Sequence, residues 1–265
     1  MPKIVFKILI LVVLFLGTWL VLEQVNWMKI FKVKKLTDET EQKLGQLFLK
    51  IFTERETMIV DKSVISVVND IQQKICTANN INSSDIIVHV VEKNEVNAFA
   101  IPGGHIIVYA GLLKESKTAS AFSGVLAHEM AHQELNHVMK KLVKEVGLSV
   151  LLSLATGSGG SELASQVAQI LSSSAFDRKL EKEADMKAVQ YLENASINSA
   201  DLADFLYSVA EKESGMTPYL IWLSTHPDSK QRAKYILDNI KTSSIQYKSP
   251  VTEERWKSLQ SSLED

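Results

Sequence analysis

The chain has 265 residues and a net charge of −2, and 46% of its residues are hydrophobic while 23% are charged. This is the composition of a folded protein with room for one domain and an appendage, and with few prolines and glycines it is not largely disordered. The single cysteine, Cys76, excludes an intrachain disulfide. Lysines are concentrated in the first 35 residues, which leaves a mildly acidic body with no electrostatic reason to bind nucleic acid.

The first element along the chain is an apolar segment near the amino terminus. From Ile4 to Leu22 the only charged residue is Lys7. Because a membrane span needs about 20 apolar residues, residues 1–30 are predicted to contain one transmembrane helix that acts as a signal anchor. A cleaved signal peptide and a buried soluble helix are the alternatives, and the first of these lacks an A-x-A-like cleavage site.

Helical and strand patterns alternate over the next part of the chain. Thr37–Phe52 is amphipathic, and Asp61 is placed to cap a second helix that ends near Ala78. Three strand candidates follow, the last two joined in a hairpin by a Pro-Gly-Gly turn; they are Ile86–Val91, Phe99–Ile101 and His105–Tyr109.

Helical patterns dominate after the strands. The predicted helices are Thr118–Val146, read as one long helix, then Glu162–Ser174, Asp177–Glu193, Ser199–Glu213 and Asp228–Ile240. Gly147–Ala155 is apolar but too short to cross a bilayer. The sequence therefore predicts an α+β fold that is mainly helical, with a small β-sheet.

The string that carries chemistry is His128-Glu129-Met130-Ala131-His132. Each residue of a helix advances by about 100°, so His128 and His132 share one face, one turn apart. Two imidazoles in this arrangement can bind one zinc ion, and Glu129 on the flank of that face can contact a water on the metal. The alternative is an amphipathic helix with two exposed histidines.

His137 is the next histidine along the same predicted helix. If the helix continues through it, its side chain lies about 180° from His128 and about 140° from His132. We therefore expect His137 to lie behind the ligands or at the surface.

A third ligand has to come from elsewhere, since a catalytic zinc usually has three protein ligands and one open position. The best source is the segment Arg178–Asp185, where Glu181 and Asp185 share a helical face and Glu183 points away. One of the two carboxylates can bind the metal while the other accepts a hydrogen bond from a ligand histidine and orients its ring. A solvated run of charges is the alternative interpretation.

Four blocks of the sequence form a recognisable series. They are Asn97-Ala98-Phe99-Ala100-Ile101-Pro102-Gly103-Gly104, the His-Glu-x-x-His string, Arg178-x-x-Glu181-x-Glu183-Ala184-Asp185, and His226-Pro227 with Arg232. In this order they resemble metallopeptidase family forty-eight, the HtpX-like and CAAX prenyl protease-like zinc metalloproteases. We expect the chain to belong to the compact BepA/LoiP-like branch of the family. A gluzincin-like zinc metallopeptidase domain is then expected over residues 36–245, followed by a C-terminal tail over residues 246–265.

The resemblance also implies roles for individual residues. It implies one Zn²⁺ per chain, with the metal ligands His128, His132 and Glu181. Glu129 is the implied catalytic base, and His226 is implied to lie near the metal, where it contacts substrate or gates the site. Residues expected around the ligands are Asp185, Arg178 and Arg232. An edge strand and hairpin along the substrate cleft are expected from Asn97, Ala98, Phe99, Ala100, Pro102, Gly103 and Gly104.

The expected function is that of a zinc-dependent endopeptidase, anchored to a membrane by one helix, that cleaves proteins or peptides. By analogy with the family we expect its catalytic domain to be extracytoplasmic (periplasmic), with a role in envelope protein quality control. The alternative is a membrane-tethered chaperone or scaffold with a gated or vestigial site, in which residues 147–174 cover the cleft and His226 fills the open position. A purely structural zinc site is disfavoured because it gives Glu129 no purpose.

Overall fold

The structure is a computed structural model that describes residues 33–213, 221–240 and 246–264. The transmembrane helix predicted within residues 1–30 lies outside the described residues. In the part of the chain that is described, no helix combines the length and the apolar character needed to cross a membrane. The chain divides into two compact units, Met1–Thr40 and Glu41–Asp265, and the second contains the sheet and the motifs.

Helices account for most of the described residues. They are α1 (Val33–Arg55), α2 (Lys62–Ala78), α3 (Ala110–Glu115), α4 (Ala119–Glu134), α5 (His137–Val146), α6 (Leu148–Ala155), α7 (Gly160–Ser173), α8 (Arg178–Asn194), α9 (Ala200–Glu213), α10 (Ile221–Thr225), α11 (Ser229–Asn239) and α12 (Glu253–Ser262). A short 3₁₀ helix spans Ser83–Asp85. Asp61 caps α2, as the sequence predicted, by accepting hydrogen bonds from the backbone amides of Ser63 and Val64.

The sheet has three strands among the described residues, β1 (Ile87–Val91), β2 (Ala98–Ile101) and β3 (His105–Tyr109), in the order β1-β3-β2. Strand β3 lies in the centre, parallel to β1 and antiparallel to β2. The predicted hairpin between β2 and β3 is therefore confirmed. Strand β2 forms one edge of this sheet and lies beside α4, the helix that carries the His-Glu-x-x-His string.

Helix α4 is the central element of the core. Every residue from Ala119 to Gln133 is buried, since α8, α9 and β2 pack around it. Helix α9 comes close because α4 has Gly124 at the contact: a Cβ added there would lie 2.7 Å from the Cβ of Leu202. A helix buried on all sides places its polar residues inside the protein, where each one requires a partner.

The prediction of one long helix over Thr118–Val146 is wrong. Helix α4 ends at Glu134, and α5 begins at His137 after a residue in the left-handed region, Asn136, with φ 55°. Asparagine tolerates this conformation because its short polar side chain can bond locally. The break changes the direction of the chain, so the side chain of His137 does not have the angular position that a continuous α4 would give it.

Helix α12 falls within the range predicted as a tail and packs on the same core. The ring of Trp256 stacks on Phe122, with centroids 5.7 Å apart. Its indole N–H donates to the carbonyl of Ser116, and the side-chain amide of Gln260 donates to the carbonyl of Leu113. The C-terminal residues thus contribute an aromatic side chain to the domain.

Candidate active site

Four buried side chains from three parts of the fold converge within the core. His128 and His132 come from α4, Glu181 from α8, and His226 from the segment between α10 and α11. Each offers one ligating atom, and these atoms all lie within 4.8 Å of one another. We refer to these four residues as the donor cluster. None of their side chains is more than 2% exposed.

The spacing inside the donor cluster suits a small metal ion. His132 Nε2 lies 3.0 Å from His128 Nε2 and 3.2 Å from Glu181 Oε1. His226 Nδ1 lies 3.0 Å from Glu181 Oε1 and 3.2 Å from His128 Nε2. Donors placed 2.0–2.1 Å from a tetrahedral zinc ion are separated by about 3.3 Å. The nitrogen and carboxylate donors therefore fit zinc in number, chemistry and spacing.

Arg232 on α11 holds two buried carboxylates beside the donor cluster. Its Nε and Nη2 donate to Asp185 at 2.8 and 2.7 Å, and its Nη1 lies 2.6 Å from Glu181 Oε2. The Tyr235 hydroxyl also donates to Asp185. Burial alone would raise the pKa of Glu181, but Arg232, His226 and His128 together outweigh it and hold that pKa well below its usual range. Glu181 is thus kept ionised in the interior.

The two histidines of α4 have opposite electrostatic surroundings. His128 Nδ1 lies 2.9 Å from Asp185 Oδ1. Burial lowers the pKa of His128, but the carboxylates of Glu181 and Asp185 outweigh this effect and raise the pKa to about 9. For His132, burial dominates and holds the pKa well below its usual range. A neutral His132 keeps a ring nitrogen lone pair available to a metal.

Glu129 lies against the donor cluster without belonging to it. Its Oε2 accepts a hydrogen bond from the backbone amide of Ala100 on β2, at 3.1 Å. Its Oε1 lies 3.4 Å from His226 Nε2, and neither of these two buried atoms has a hydrogen bond to a residue that the structure describes. One carboxylate oxygen is therefore held by the edge strand while the other faces the donors.

Phe176 packs against the donor cluster and Lys141 contacts Phe176, and sequence reasoning missed both. The Phe176 backbone N–H donates to the carbonyl of Thr225, one residue before His226. Lys141 Nζ donates to the carbonyl of Ser174 and lies 4.3 Å from the Phe176 ring centroid. Burial lowers the pKa of Lys141 to about 8. Neither residue belongs to a motif, and both lie just outside residues 147–174, the segment that the alternative of a gated site placed over the cleft.

The structure places two further residues of the motif region, and one of them lies elsewhere than the sequence indicated. Arg178, expected near the ligands, is the first residue of α8; its side chain is 80% exposed and pairs with Asp228 at 2.6 Å. At the end of the helix the long side chain reaches outward instead of along the buried face. His137 takes the first of the two positions expected for it: it is fully buried behind the ligand His132, with its Nδ1 3.1 Å from His132 Nδ1. Glu183 points away from Glu181 and contacts His137 Nε2 at 3.3 Å.

The segment predicted to line the cleft divides into two parts. Its first part contacts the site through Ala100, and the side-chain amide of Asn97 is buried without a hydrogen bond to any described residue. The Pro-Gly-Gly turn instead packs against neighbouring elements. A Cβ added at Gly104, where φ is +82°, would lie 1.9 Å from the carbonyl oxygen of Asp85, so this close approach requires glycine.

Residues 62–240 match the model of peptidase family M48. Metalloprotease LoiP of Escherichia coli is 32% identical over 173 residues, which cover 63% of this chain and 68% of LoiP. The mitochondrial metalloendopeptidase OMA1 of Schizosaccharomyces pombe is 30% identical over 179 residues, covering 66% of this chain and 52% of OMA1. The beta-barrel assembly-enhancing protease of Yersinia pestis is 23% identical over 234 residues, covering 80% of this chain and 48% of that protein. This chain therefore spans about half the length of the last two relatives.

Proposed function

Because this chain belongs to peptidase family M48, we propose that it is a zinc metalloendopeptidase that cleaves proteins at one zinc ion held by His128, His132 and Glu181. The observation that carries this assignment is the donor cluster, where nitrogen and carboxylate atoms lie at tetrahedral zinc spacing beside the buried Glu129. We propose a gluzincin-like domain over residues 36–245.

In the proposed mechanism Glu129 is the general base. Bound zinc would lower the pKa of a water towards about 7 and polarise the scissile carbonyl. Glu129 takes the proton from the attacking water and delivers it to the leaving amine. The amide of Ala100 holds Glu129 Oε2, which leaves Oε1 turned towards the reacting atoms. Asp185 and Arg232 keep His128 and Glu181 oriented through the buried hydrogen bonds described above.

We propose that an extended peptide binds along residues 97–100 and adds main-chain hydrogen bonds at the edge of the sheet. This is supported by the position of β2, which pairs with β3 on one side only and lies beside α4.

A second candidate function, a chaperone or scaffold with a gated site, is favoured by one observation. His226 Nδ1 lies 3.0 Å from Glu181 Oε1, in the position of a fourth ligand. A tetrahedral zinc with four protein donors has no open position for water. The two functions are reconciled if His226 leaves the donor cluster when substrate enters, and we propose this role for it.

We further propose that residues 1–30 anchor the chain to a membrane, with the catalytic domain on the extracytoplasmic side and envelope proteins as substrates. The proposal is supported by the uncharged stretch from Ile8 to Leu22. It is also supported by similarity to a protein named a beta-barrel assembly-enhancing protease.

The test of the proposed chemistry is zinc content and casein cleavage of the full chain, purified without chelator. We expect Glu129→Gln to keep one zinc and lose cleavage, because the amide cannot accept the proton. Glu181→Ala is expected to lose the metal, while Glu183→Ala, a carboxylate two residues away, retains it. Wild-type cleavage by Glu129→Gln would refute the base assignment.

The same measurement separates the two candidate functions. Bound zinc with no cleavage by the wild-type chain would favour a gated site. His226→Ala is then expected to restore cleavage, because it removes the fourth donor. If His226→Ala also binds zinc without cleaving casein, the protease mechanism is wrong.

A further inference from the structure

We propose that His137 is a positioning residue for the metal ligand His132, and that Glu183 orients His137 in turn. The proposal rests on the proposed function, since it requires His132 to bind the metal. His137 Nδ1 lies 3.1 Å from His132 Nδ1, and His137 Nε2 lies 3.3 Å from Glu183 Oε2. This series of contacts connects the half-exposed carboxylate of Glu183, through His137, to His132 in the donor cluster.

The chemistry of the three groups assigns a direction to each hydrogen bond. An ionised Glu183 can only accept, so His137 carries its hydrogen on Nε2 and presents a lone pair at Nδ1. That lone pair accepts the Nδ1–H of His132. His132 is left with its own lone pair on Nε2, the atom that lies 3.0 Å from His128 Nε2. His137 thereby selects the tautomer of His132 that can bind a metal.

The neighbouring ligand His128 has the same arrangement of its two ring nitrogens, with a different hydrogen-bond partner. His128 uses Nδ1 to reach Asp185 at 2.9 Å and turns Nε2 into the donor cluster. Each histidine of α4 thus has one ring nitrogen bound to a buried partner and the other facing the donors. Ligand histidines commonly need such a partner for orientation. Without His137, this requirement is unmet for His132 among its described contacts.

The break between α4 and α5 brings His137 to this position. In a continuous helix its side chain would lie about 140° from that of His132. Asn136 in the left-handed region turns the chain, and His137 becomes the first residue of α5. Its imidazole is then fully buried, where a polar ring requires hydrogen-bond partners.

The opposing interpretation is that His137 only fills space in the core. Two substitutions separate these interpretations in the full chain. His137→Asn keeps an acceptor oxygen near the position of Nδ1, whereas His137→Leu fills a similar volume without an acceptor. Zinc affinity, measured by competition with a chromogenic chelator, is the readout. Denaturant unfolding of the metal-free variants shows that each one folds.

We expect His137→Leu to weaken zinc binding by about 10- to 100-fold, the usual effect of removing such a partner. His137→Asn is expected to stay close to the wild-type affinity. Equal weakening by both variants, or none by His137→Leu, would overturn the positioning role. Glu183→Ala, at a half-exposed site that leaves the core intact, is expected to lower the affinity less while still binding one zinc at saturation. Wild-type affinity in Glu183→Ala would overturn the role of Glu183.

His132→Ala makes failure of this inference distinguishable from failure of the proposed function. If His132→Ala binds zinc as the wild type does, His132 is not a ligand and the proposed metal site is wrong. If His132→Ala loses zinc and His137→Leu retains wild-type affinity, the metal site stands and only the positioning role of His137 is wrong.

Discussion

The ring of Phe176 lies nearly parallel on the imidazole of His132, with centroids 3.9 Å apart and 22° between the planes. It also lies 5.8 Å from the ring of His226. Lys141 holds the backbone just before Phe176 by donating to the carbonyls of Leu171 and Ser174. We therefore expect this aromatic side chain, which lies outside every motif, to seal the donor cluster from solvent.

Shortening Phe176 is expected to open a path from solvent to the donor cluster. Phe176→Ala should release zinc to an excess of chelator faster than the wild-type chain, because the apolar cover over His132 is lost. Removing a buried phenylalanine also lowers the free energy of unfolding, by about 3–5 kcal/mol. Phe176→Leu, which keeps an apolar cover, is the control and should release zinc nearly as slowly as the wild type. Equal release rates in all three proteins would contradict the sealing role.

Replacing Arg232 is expected to destabilise the metal-free protein strongly. Arg232→Met keeps much of the volume but leaves the buried carboxylates of Glu181 and Asp185 without their cationic partner. Removing one partner of a buried ion pair lowers the free energy of unfolding by about 3–5 kcal/mol. Arg178→Met is the matched control: its ion pair is exposed, so we expect a change of about 1 kcal/mol or less. Denaturant unfolding in the presence of chelator measures the free energy of unfolding of both variants. A similar decrease in the two variants would refute the prediction.

His89 on β1 is expected to make the fold sensitive to acid. Its Nε2 lies 3.1 Å from His105 Nδ1, and burial, with the nearby His105, lowers the pKa of His89 from 6.5 to about 4. Between pH 6.5 and about 4 the unfolded chain therefore binds a proton that the folded chain does not. The free energy of unfolding then falls as the pH falls through this window.

His89→Gln removes that titration and should lose less stability than the wild type between pH 7 and 4.5. Urea unfolding at the two pH values, with chelator present to remove the contribution of metal, measures the difference. If both proteins lose the same free energy of unfolding between the two pH values, the titration of His89 does not contribute to the acid sensitivity of the fold.

Relationships within one helix or one motif follow from the amino-acid sequence alone. The helical repeat predicts that His128 and His132 share a face, and that Glu181 and Asp185 share another. These residues do meet, because α4 and α8 are regular helices over the motifs and pack closely in the core. The four blocks of motifs also identified the family, because their order and spacing are specific.

Which residues of other elements surround the donors depends instead on how those elements pack together. Whether His137 faced the site depended on one left-handed residue, Asn136, that helical periodicity does not reveal. Phe176 and Lys141 come to the donor cluster through the packing of separate segments, and Arg178 is directed outward by its place at the end of α8. Periodicity relates residues along one helix, whereas the angles and breaks between elements depend on how the whole core packs.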